Sequence, residues 1–309
     1  MPQTTALQSK KNLYILHLTV LIWGFTGILG ALISIDAVQM VWYRVVIATT
    51  TLFLYFLFSK TSLKITKKQF LQFFFTGSIV ALHWVLFFHS IKVSTVSVTL
   101  VCLSSFTLFT AILEPIIKKQ AISKGNIFIG LVIILGIYLI FKFESQYSLG
   151  IIFGLSAALA STIFSIINST LIHQSEAKII GFYEMAGALF WITLYRLFDG
   201  TLLQESFNLS ASDWFYLMIL GTICTALAYV AGVSVMKTIS AFNVALITNL
   251  EPVYGIIIAF IFFGSKETMT PGFYMGAVLI LAAVFIYPIY KKRQNRIWSS
   301  LPFLPLFNC

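Results

Sequence analysis

Charged residues are scarce in this sequence. Asp, Glu, Lys and Arg make up only 10% of its 309 residues, whereas about 25% is usual in soluble domains. Hydrophobic residues reach 59% and the mean hydropathy is +0.95. A soluble protein of this composition could not cover its surface with polar groups. The scarcity of charge therefore excludes a soluble globule and predicts an integral membrane protein.

The sequence also lacks the motifs of common cofactor and metal sites. Cys102, Cys224 and Cys309 have no ligand spacing, and the first two lie in apolar runs. There is no GxxxxGK[ST] phosphate loop, no HExxH, no paired Cys and His ligands and no GxSxG, so ATP-driven and metal-dependent chemistry have no support. We therefore expect no cofactor, no bound metal and no enzymatic activity.

Ten apolar runs, each bounded by charge, Gly or Pro, follow one another along the chain. They cover 13–33, 37–58, 69–90, 94–117, 125–141, 149–171, 177–197, 212–235, 241–264 and 271–290. Most are near the ~20 residues that a helix needs to cross a hydrocarbon core of ~30 Å. The pattern predicts an all-α integral membrane protein with ten transmembrane helices.

The basic residues favour one orientation. A net charge of +10 would suggest nucleic acid as the partner of a soluble protein, but in a membrane protein Lys and Arg collect in cytoplasmic loops. With the N-terminus inside, fifteen of the twenty basic residues fall in inside segments, four fall outside, and Arg44 lies within a span. We predict a multi-pass protein of the cytoplasmic membrane with both termini cytoplasmic, surrounded by lipid and without a nucleic-acid partner.

The chain contains a weak internal duplication. Ser94–Gly130 matches Ser240–Gly276 at one offset of 146 residues, and the second and seventh spans match at an offset of 140. Five spans are an odd number, so the second repeat enters the membrane from the opposite side, as in carriers built from inverted repeats. The predicted divisions are an N-terminal tail (1–12), a first five-helix repeat (13–141), a second five-helix repeat (149–290) and a basic C-terminal tail (291–309).

Several short motifs, in this order and spacing, resemble those of the EamA family of the drug/metabolite transporter superfamily. They are Trp23-Gly24, Tyr43-Arg44, Ala228-Tyr229 and the Asn-Leu-Glu-Pro run from Asn249 to Pro252, followed by Gly264 and Gly276. The resemblance extends over about residues 13–290. It implies a ten-helix carrier of two inverted repeats, often an exporter of amino acids or related metabolites.

Three ionisable residues lie well inside predicted spans: Arg44, Glu184 and Glu251. Each costs about 2.5–3.5 kcal/mol at the centre of a helix, so each needs a partner, a cavity or a neutral form. Arg44 could attract a carboxylate or another anion, and Glu184 an ammonium group or a proton. The alternative is that both reach nearby headgroups or join helices.

Glu251 gives the sharper signal because Pro252 follows it. Proline has no N–H, so the Thr248 carbonyl loses its helical partner and the helix is expected to kink there. Exposed carbonyls at membrane depth are tolerated in protein or beside water, where transporter sites are built. We expect Glu251 to bind substrate or to carry a proton. Glu114 also precedes a proline, but it lies near Lys118 and is expected at a solvated helix end.

Other polar and aromatic residues are candidates for the substrate path, each with core packing or helix–helix bonding as its alternative. Together with the three ionisable residues they are Trp23, His83, Trp84, Ser104, Ser105, Tyr183, Tyr229, Asn243 and Tyr254. At 100° per residue, Asn243, Glu251 and Tyr254 share an arc of about 80°. Asn249 points away from that arc.

These features predict a secondary transporter that moves a small metabolite, an amino acid or a similar amphipathic solute, by alternating access. Efflux is the expected direction and protons are a candidate coupling ion. Carriers of sugars or nucleosides, and uptake in place of efflux, stay open. The rival class is an integral-membrane enzyme acting on lipids, which would need carboxylates or histidines clustered at one interface. The scattered single charges argue against it.

Overall fold

A computed structural model of the protein describes residues 2–119, 124–204 and 209–299, which form helices joined by short connections and include no β-strand. The first half contains α1 (Pro2–Leu32), α2 (Ala37–Ser59), α3 (Lys67–Val93), α4 (Val96–Leu103), α5 (Phe106–Ile117) and α6 (Lys124–Phe143). The second half contains α7 (Ser148–Leu171), α8 (Ala177–Phe198), α9 (Thr201–Gln204), α10 (Ala211–Gly221), the π-helical segment Thr222–Leu227, α11 (Ala228–Val235), α12 (Ala241–Thr248), α13 (Leu250–Phe263) and α14 (Pro271–Ser299). Two short 3-10 turns, Ser145–Tyr147 and Gly264–Glu267, precede α7 and follow α13.

Eight stretches of the described residues are helical, long and apolar enough to cross a membrane. The two other predicted runs, 125–141 and 271–290, hold the shorter apolar helices Phe128–Phe143 and Pro271–Ala283. The prediction of an all-helical, multi-pass membrane protein is confirmed. That all ten runs cross the membrane stays a prediction.

The packing of the first half against the second has a regular pattern. Helix α3 packs against α7 and α8, and its counterpart α10–α11 packs against α1 and α2. The α4–α5 pair contacts α7, and the α12–α13 pair contacts α1. Helix α6 packs against α14, and α2 packs against α8. Exchanging the two halves therefore turns the contacts of α3 and of the α4–α5 pair into those of α10–α11 and of the α12–α13 pair. The α6–α14 and α2–α8 contacts each join equivalent helices and stay the same.

Glycines allow two of these contacts to be very close. A Cβ atom added at Gly77 on α3 would meet the Glu184 carbonyl and would lie 2.7 Å from the Ala188 nitrogen on α8. A Cβ added at Gly221 on α10 would lie 3.2 Å from the Arg44 carbonyl on α2. The two candidate charged residues thus occupy equivalent places in the two halves.

Two helices are interrupted and lie against each other. The helix pair α4–α5 breaks at Ser104 and Ser105, and α12–α13 breaks at Asn249. The second break lies three residues before Pro252, where the kink was predicted. The Asn249 side chain donates to Thr107 Oγ1 on α5 and to the Ala245 carbonyl at 2.8 Å, so the amide joins the two broken helices.

Each broken helix begins at a carboxylate from the other half of the chain. Glu267 accepts hydrogen bonds from the backbone nitrogens of Val96 (3.1 Å) and Ser97 (2.9 Å) in the first turn of α4. Glu114 accepts one from the backbone nitrogen of Phe242 (3.1 Å) in the first turn of α12 and pairs with Lys118 at 2.7 Å. Glu114 was expected at a solvated helix end. It lies in the last turn of α5, beside exposed residues from Ile116 to Lys119, but the residue itself is only 9% exposed.

Candidate functional site

A cavity lies among α1, α2, α3, the α4–α5 pair, α7, the π-helical segment, α11, α12 and α13. Its volume is about 80 Å³, measured as the space open to the centres of water molecules, which is room for several waters. Aromatic side chains form much of its wall, among them Phe87, Phe106 and Phe164. Six of the predicted residues line it: Trp23, Arg44, His83, Trp84, Tyr229 and Glu251.

Arg44 is held at the cavity wall by one hydrogen bond and two aromatic rings. Its Nε donates to Thr225 Oγ1 at 2.6 Å, and its guanidinium carbon lies 4.0 Å from the ring centre of Trp84 and 5.4 Å from that of Phe88. The residue is only 2% exposed, and its Nη1 has no hydrogen-bond partner among the described residues. The guanidinium is thus fixed in direction, and its Nη1 is unused among the described residues.

Thr225 reaches Arg44 because the helix is wound as a π-helix there. Its hydroxyl donates to the Leu220 carbonyl, five residues back, at 2.6 Å, and its oxygen accepts the Arg44 bond. Single π-helical turns inside α-helices are frequent at functional sites. Here the turn directs a hydroxyl toward the charged residue of the cavity.

Glu251 enters the cavity from the first turn of α13. It is 5% exposed, and its position near a helix N-terminus suits a negative charge. Within the described parts of the chain, its carboxylate has no hydrogen-bond donor, and no ion pair within 4.0 Å joins it to Arg44. One cavity therefore holds a buried arginine and a buried glutamate that are not paired with each other.

Glu184 does not line the cavity but lies behind its wall. It is fully buried, and its Oε2 accepts a hydrogen bond from the Tyr229 hydroxyl at 2.7 Å. The Asn168 amide donates to the same Glu184 oxygen at 3.3 Å and to the Tyr229 hydroxyl oxygen at 3.0 Å. Tyr229 lines the cavity, so this tyrosine is the link between Glu184 and the cavity.

His83 combines the two interpretations that the sequence left open. Its Nδ1 lies 2.9 Å from the Ala157 carbonyl and donates to it, as a core histidine would. Its ring also contacts Phe87 and Phe164 and faces the cavity. Because a carbonyl oxygen only accepts, this hydrogen bond places a proton on Nδ1.

Two predicted candidates lie away from the cavity. The Tyr183 hydroxyl donates to the Leu63 carbonyl at 2.8 Å, in the connection between α2 and α3. Asn243 is exposed in the first turn of α12. The predicted arc that joined Asn243 to Glu251 assumed one continuous helix, and the break at Asn249 interrupts that register.

Three further candidates are near the cavity without lining it. Ser104 and Ser105 are buried at the break between α4 and α5, while their neighbours Leu103 and Phe106 reach the cavity. Tyr254 is half-buried and packs against α1, where a Cβ added at Gly24 would lie 3.3 Å from its own Cβ. The roles predicted for these residues stay predictions.

Sequence reasoning missed Thr225 and Asn168. A π-helical turn has no signature in the apolar stretch around Thr225, so its contact with Arg44 could not be read from helical spacing. Asn168 is different, because burying an amide in the middle of an apolar span costs free energy, as burying a charge does. Applying that criterion to amides would have found it.

Helical spans around a buried cavity with charged walls are typical of membrane transport proteins. The model of the EamA-like transporter family matches the chain twice, over residues 11–142 and 148–287. The chain therefore belongs to this family of the drug/metabolite transporter superfamily and is a multi-pass membrane transporter.

One solved structure, titled "Crystal structure of protein", superposes with a TM-score of 0.67 over 91% of this chain and 99% of the other, at 12% identity. At that identity the likeness concerns the fold alone. The search of curated proteins gave no match.

Proposed function

We propose that the protein is a secondary carrier of amino acids or of similar small zwitterions. The proposal rests on one observation, which is that Arg44 and Glu251 face the same cavity, both buried and not paired with each other. Opposite charges in a low-dielectric site attract strongly, and burying them unpaired is costly. A zwitterion compensates both, because its carboxylate can accept from Arg44 Nη1 and its ammonium group can donate to Glu251.

The aromatic wall supports an amphipathic solute. Trp23, Trp84 and Tyr229 offer large apolar surfaces beside the two charges, and ligand sites commonly combine such surfaces with a few polar groups that fix orientation. A sugar or a nucleoside would use the same rings but would leave both charges without a counterion. The charges therefore favour the zwitterion over these alternatives.

Alternating access between two inverted five-helix repeats is the proposed mechanism. The matched helix contacts and the equivalent places of Gly77 and Gly221 support such a repeat. In an inverted repeat each half can adopt the conformation of the other, which exposes one central site to each side in turn. The distribution of basic residues supports ten spans in the cytoplasmic membrane with both termini inside, and efflux is the proposed direction.

Transport in proteoliposomes tests the proposal. We expect saturable exchange of one or more labelled amino acids, and no exchange of labelled sugars or nucleosides. Glu251→Gln and Arg44→Gln should each lower kcat/KM by about ten-fold or more, since a hydrogen bond to a charged group contributes roughly 1.5–3 kcal/mol. Glu176→Gln is the matched control, because Glu176 is exposed and pairs with Lys178.

Substrate analogues separate the two roles. An analogue without the ammonium group should lose affinity for the wild type but should be nearly insensitive to Glu251→Gln. An analogue without the carboxylate should likewise be nearly insensitive to Arg44→Gln. Equal effects of each variant on all analogues would contradict the proposed orientation, and selective exchange of sugars or nucleosides would contradict the zwitterion itself.

A further inference from the structure

Glu184 is a carboxyl group sealed behind a tyrosine that faces the cavity. It is fully buried on α8, and its described polar contacts are the Tyr229 hydroxyl at 2.7 Å and the Asn168 amide at 3.3 Å, both on Oε2. Its second oxygen, Oε1, has no hydrogen-bond partner among the described residues, and neither has Asn168 Oδ1. A substrate in the cavity meets Tyr229 before it meets this carboxyl group.

No positive charge compensates Glu184 from the helices packed around it. Tyr229 faces it from α11 and Asn168 from α7, while α3 presents the backbone at Gly77. The charged residue of α2, Arg44, and the histidine of α3, His83, line the cavity instead. Within the described residues no group of side chains could hold a metal ion.

A buried carboxylate with so few partners pays a large desolvation cost, which a bound proton removes. A larger cation cannot reach Glu184, since its side chain has no exposed surface. A proton can reach it along hydrogen bonds. Glu184 is therefore suited to bind a proton, which would reach it from the cavity through Tyr229.

We propose that Glu184 is the proton-coupling site of the carrier and that the Tyr229 hydroxyl connects it to the cavity; this inference rests on the proposed carrier function. In the transfer, the Tyr229 O–H bond breaks as its proton passes to Glu184 Oε2, and Tyr229 takes a proton from a hydronium ion in the cavity water, which becomes a neutral water molecule. The net change is one proton moved from cavity water to Glu184, with no change in Tyr229.

The protonated state changes the cavity wall. Glu184 then donates to the Tyr229 oxygen, so the Tyr229 O–H no longer points at Glu184 and is available elsewhere. Asn168 Nδ2 lies within hydrogen-bond distance of both oxygens and fits either arrangement. Because Tyr229 lines the cavity, proton binding alters the hydrogen bonds offered to the substrate. Linkage then requires that substrate binding alters proton binding by the same factor.

The experiment uses proteoliposomes containing the full-length protein and the amino acid that gives saturable exchange. In the wild type, an imposed pH gradient should drive that amino acid above its equilibrium distribution, and an amino-acid gradient should move protons, read by an entrapped pH dye. In Glu184→Gln the number of protons moved per amino acid should fall to zero while exchange persists. Tyr229→Phe should also move fewer protons per amino acid than the wild type. Glu176→Gln should keep wild-type coupling.

Each outcome decides the inference. Coupling that survives in Glu184→Gln overturns it, as does a wild type that exchanges amino acids without any response to the pH gradient. Absence of exchange in the wild type instead overturns the proposed function. If neither variant inserts stably, calorimetry of the purified wild type tests the inference. The heat of amino-acid binding is measured in two buffers of different ionisation enthalpy. Equal heats would mean that no proton is exchanged and would overturn the inference.

Discussion

The side chain of Arg44 illustrates how the cavity positions a charge. The guanidinium lies over the Trp84 ring and its Nε bonds to Thr225, whereas its Nη1 has no partner among the described residues. Since Arg is planar and donates in fixed directions, holding one edge fixes the direction of the other. A residue outside the cavity lining thus determines where a substrate anion would bind.

Replacing Thr225 should therefore impair transport without touching the substrate. In Thr225→Val the Arg44 Nε loses its acceptor, and we expect kcat/KM to fall about ten-fold, the lower end of the range for a bond to a charged group. The matched control is Thr222→Val in the same π-helical segment, where the hydroxyl bonds to the Met218 carbonyl. Initial rates of exchange in proteoliposomes give both values, and equal rates in the two variants would refute the role of Thr225.

For single residues, the sequence was a better guide to which residues matter than to the directions of their side chains. A buried charge in an apolar span is costly wherever it lies, so Arg44, Glu184 and Glu251 could be recognised without a structure. The direction of a side chain depends on local helix geometry, and Asn243 was misplaced by the break at Asn249. Glu184 was recognised as a candidate, but its place behind Tyr229 depends on the packing of α8 against α11.

Among the helices, α3 and α8 approach each other closely at Gly77. A Cβ atom at residue 77 would overlap the backbone of α8. In Gly77→Val the helices must move apart, and overpacking of this kind typically costs about 1–3 kcal/mol. We expect a lower thermal midpoint in detergent and a lower yield of folded protein.

The control for this variant lies on the same helix. Leu82 is 53% exposed on α3, so Leu82→Val should leave the thermal midpoint close to that of the wild type. Equal midpoints for Gly77→Val and Leu82→Val would contradict the close contact that the structure gives these helices.

The elements themselves were largely predictable, because a span needs a certain length of apolar residues and its ends need charge, Gly or Pro. The run 177–197 became α8 (Ala177–Phe198) and the run 37–58 became α2 (Ala37–Ser59). The break at Asn249 was predictable from Pro252. The break at Ser104 and Ser105 was not, because no proline causes it and the packing of α4–α5 against its neighbours decides its place.

For the molecule as a whole, the predicted ten-span topology places the connections before and after α7 on opposite sides of the membrane. Ser145→Cys before α7 and His173→Cys after it both fall on exposed residues. In a background where serine replaces Cys102, Cys224 and Cys309, a membrane-impermeant maleimide applied to whole cells should label only Ser145→Cys. Labelling from the same side in both variants would contradict the proposed topology.

The glutamates that cap the two broken helices also join the two halves of the chain. Glu267 supplies acceptors for the start of α4, and Glu114 supplies one for the start of α12. The acid and the helix that it caps are therefore encoded in different repeats. Loss of either acid would therefore weaken the start of a helix in the other repeat, so each repeat needs the other to complete its broken helix.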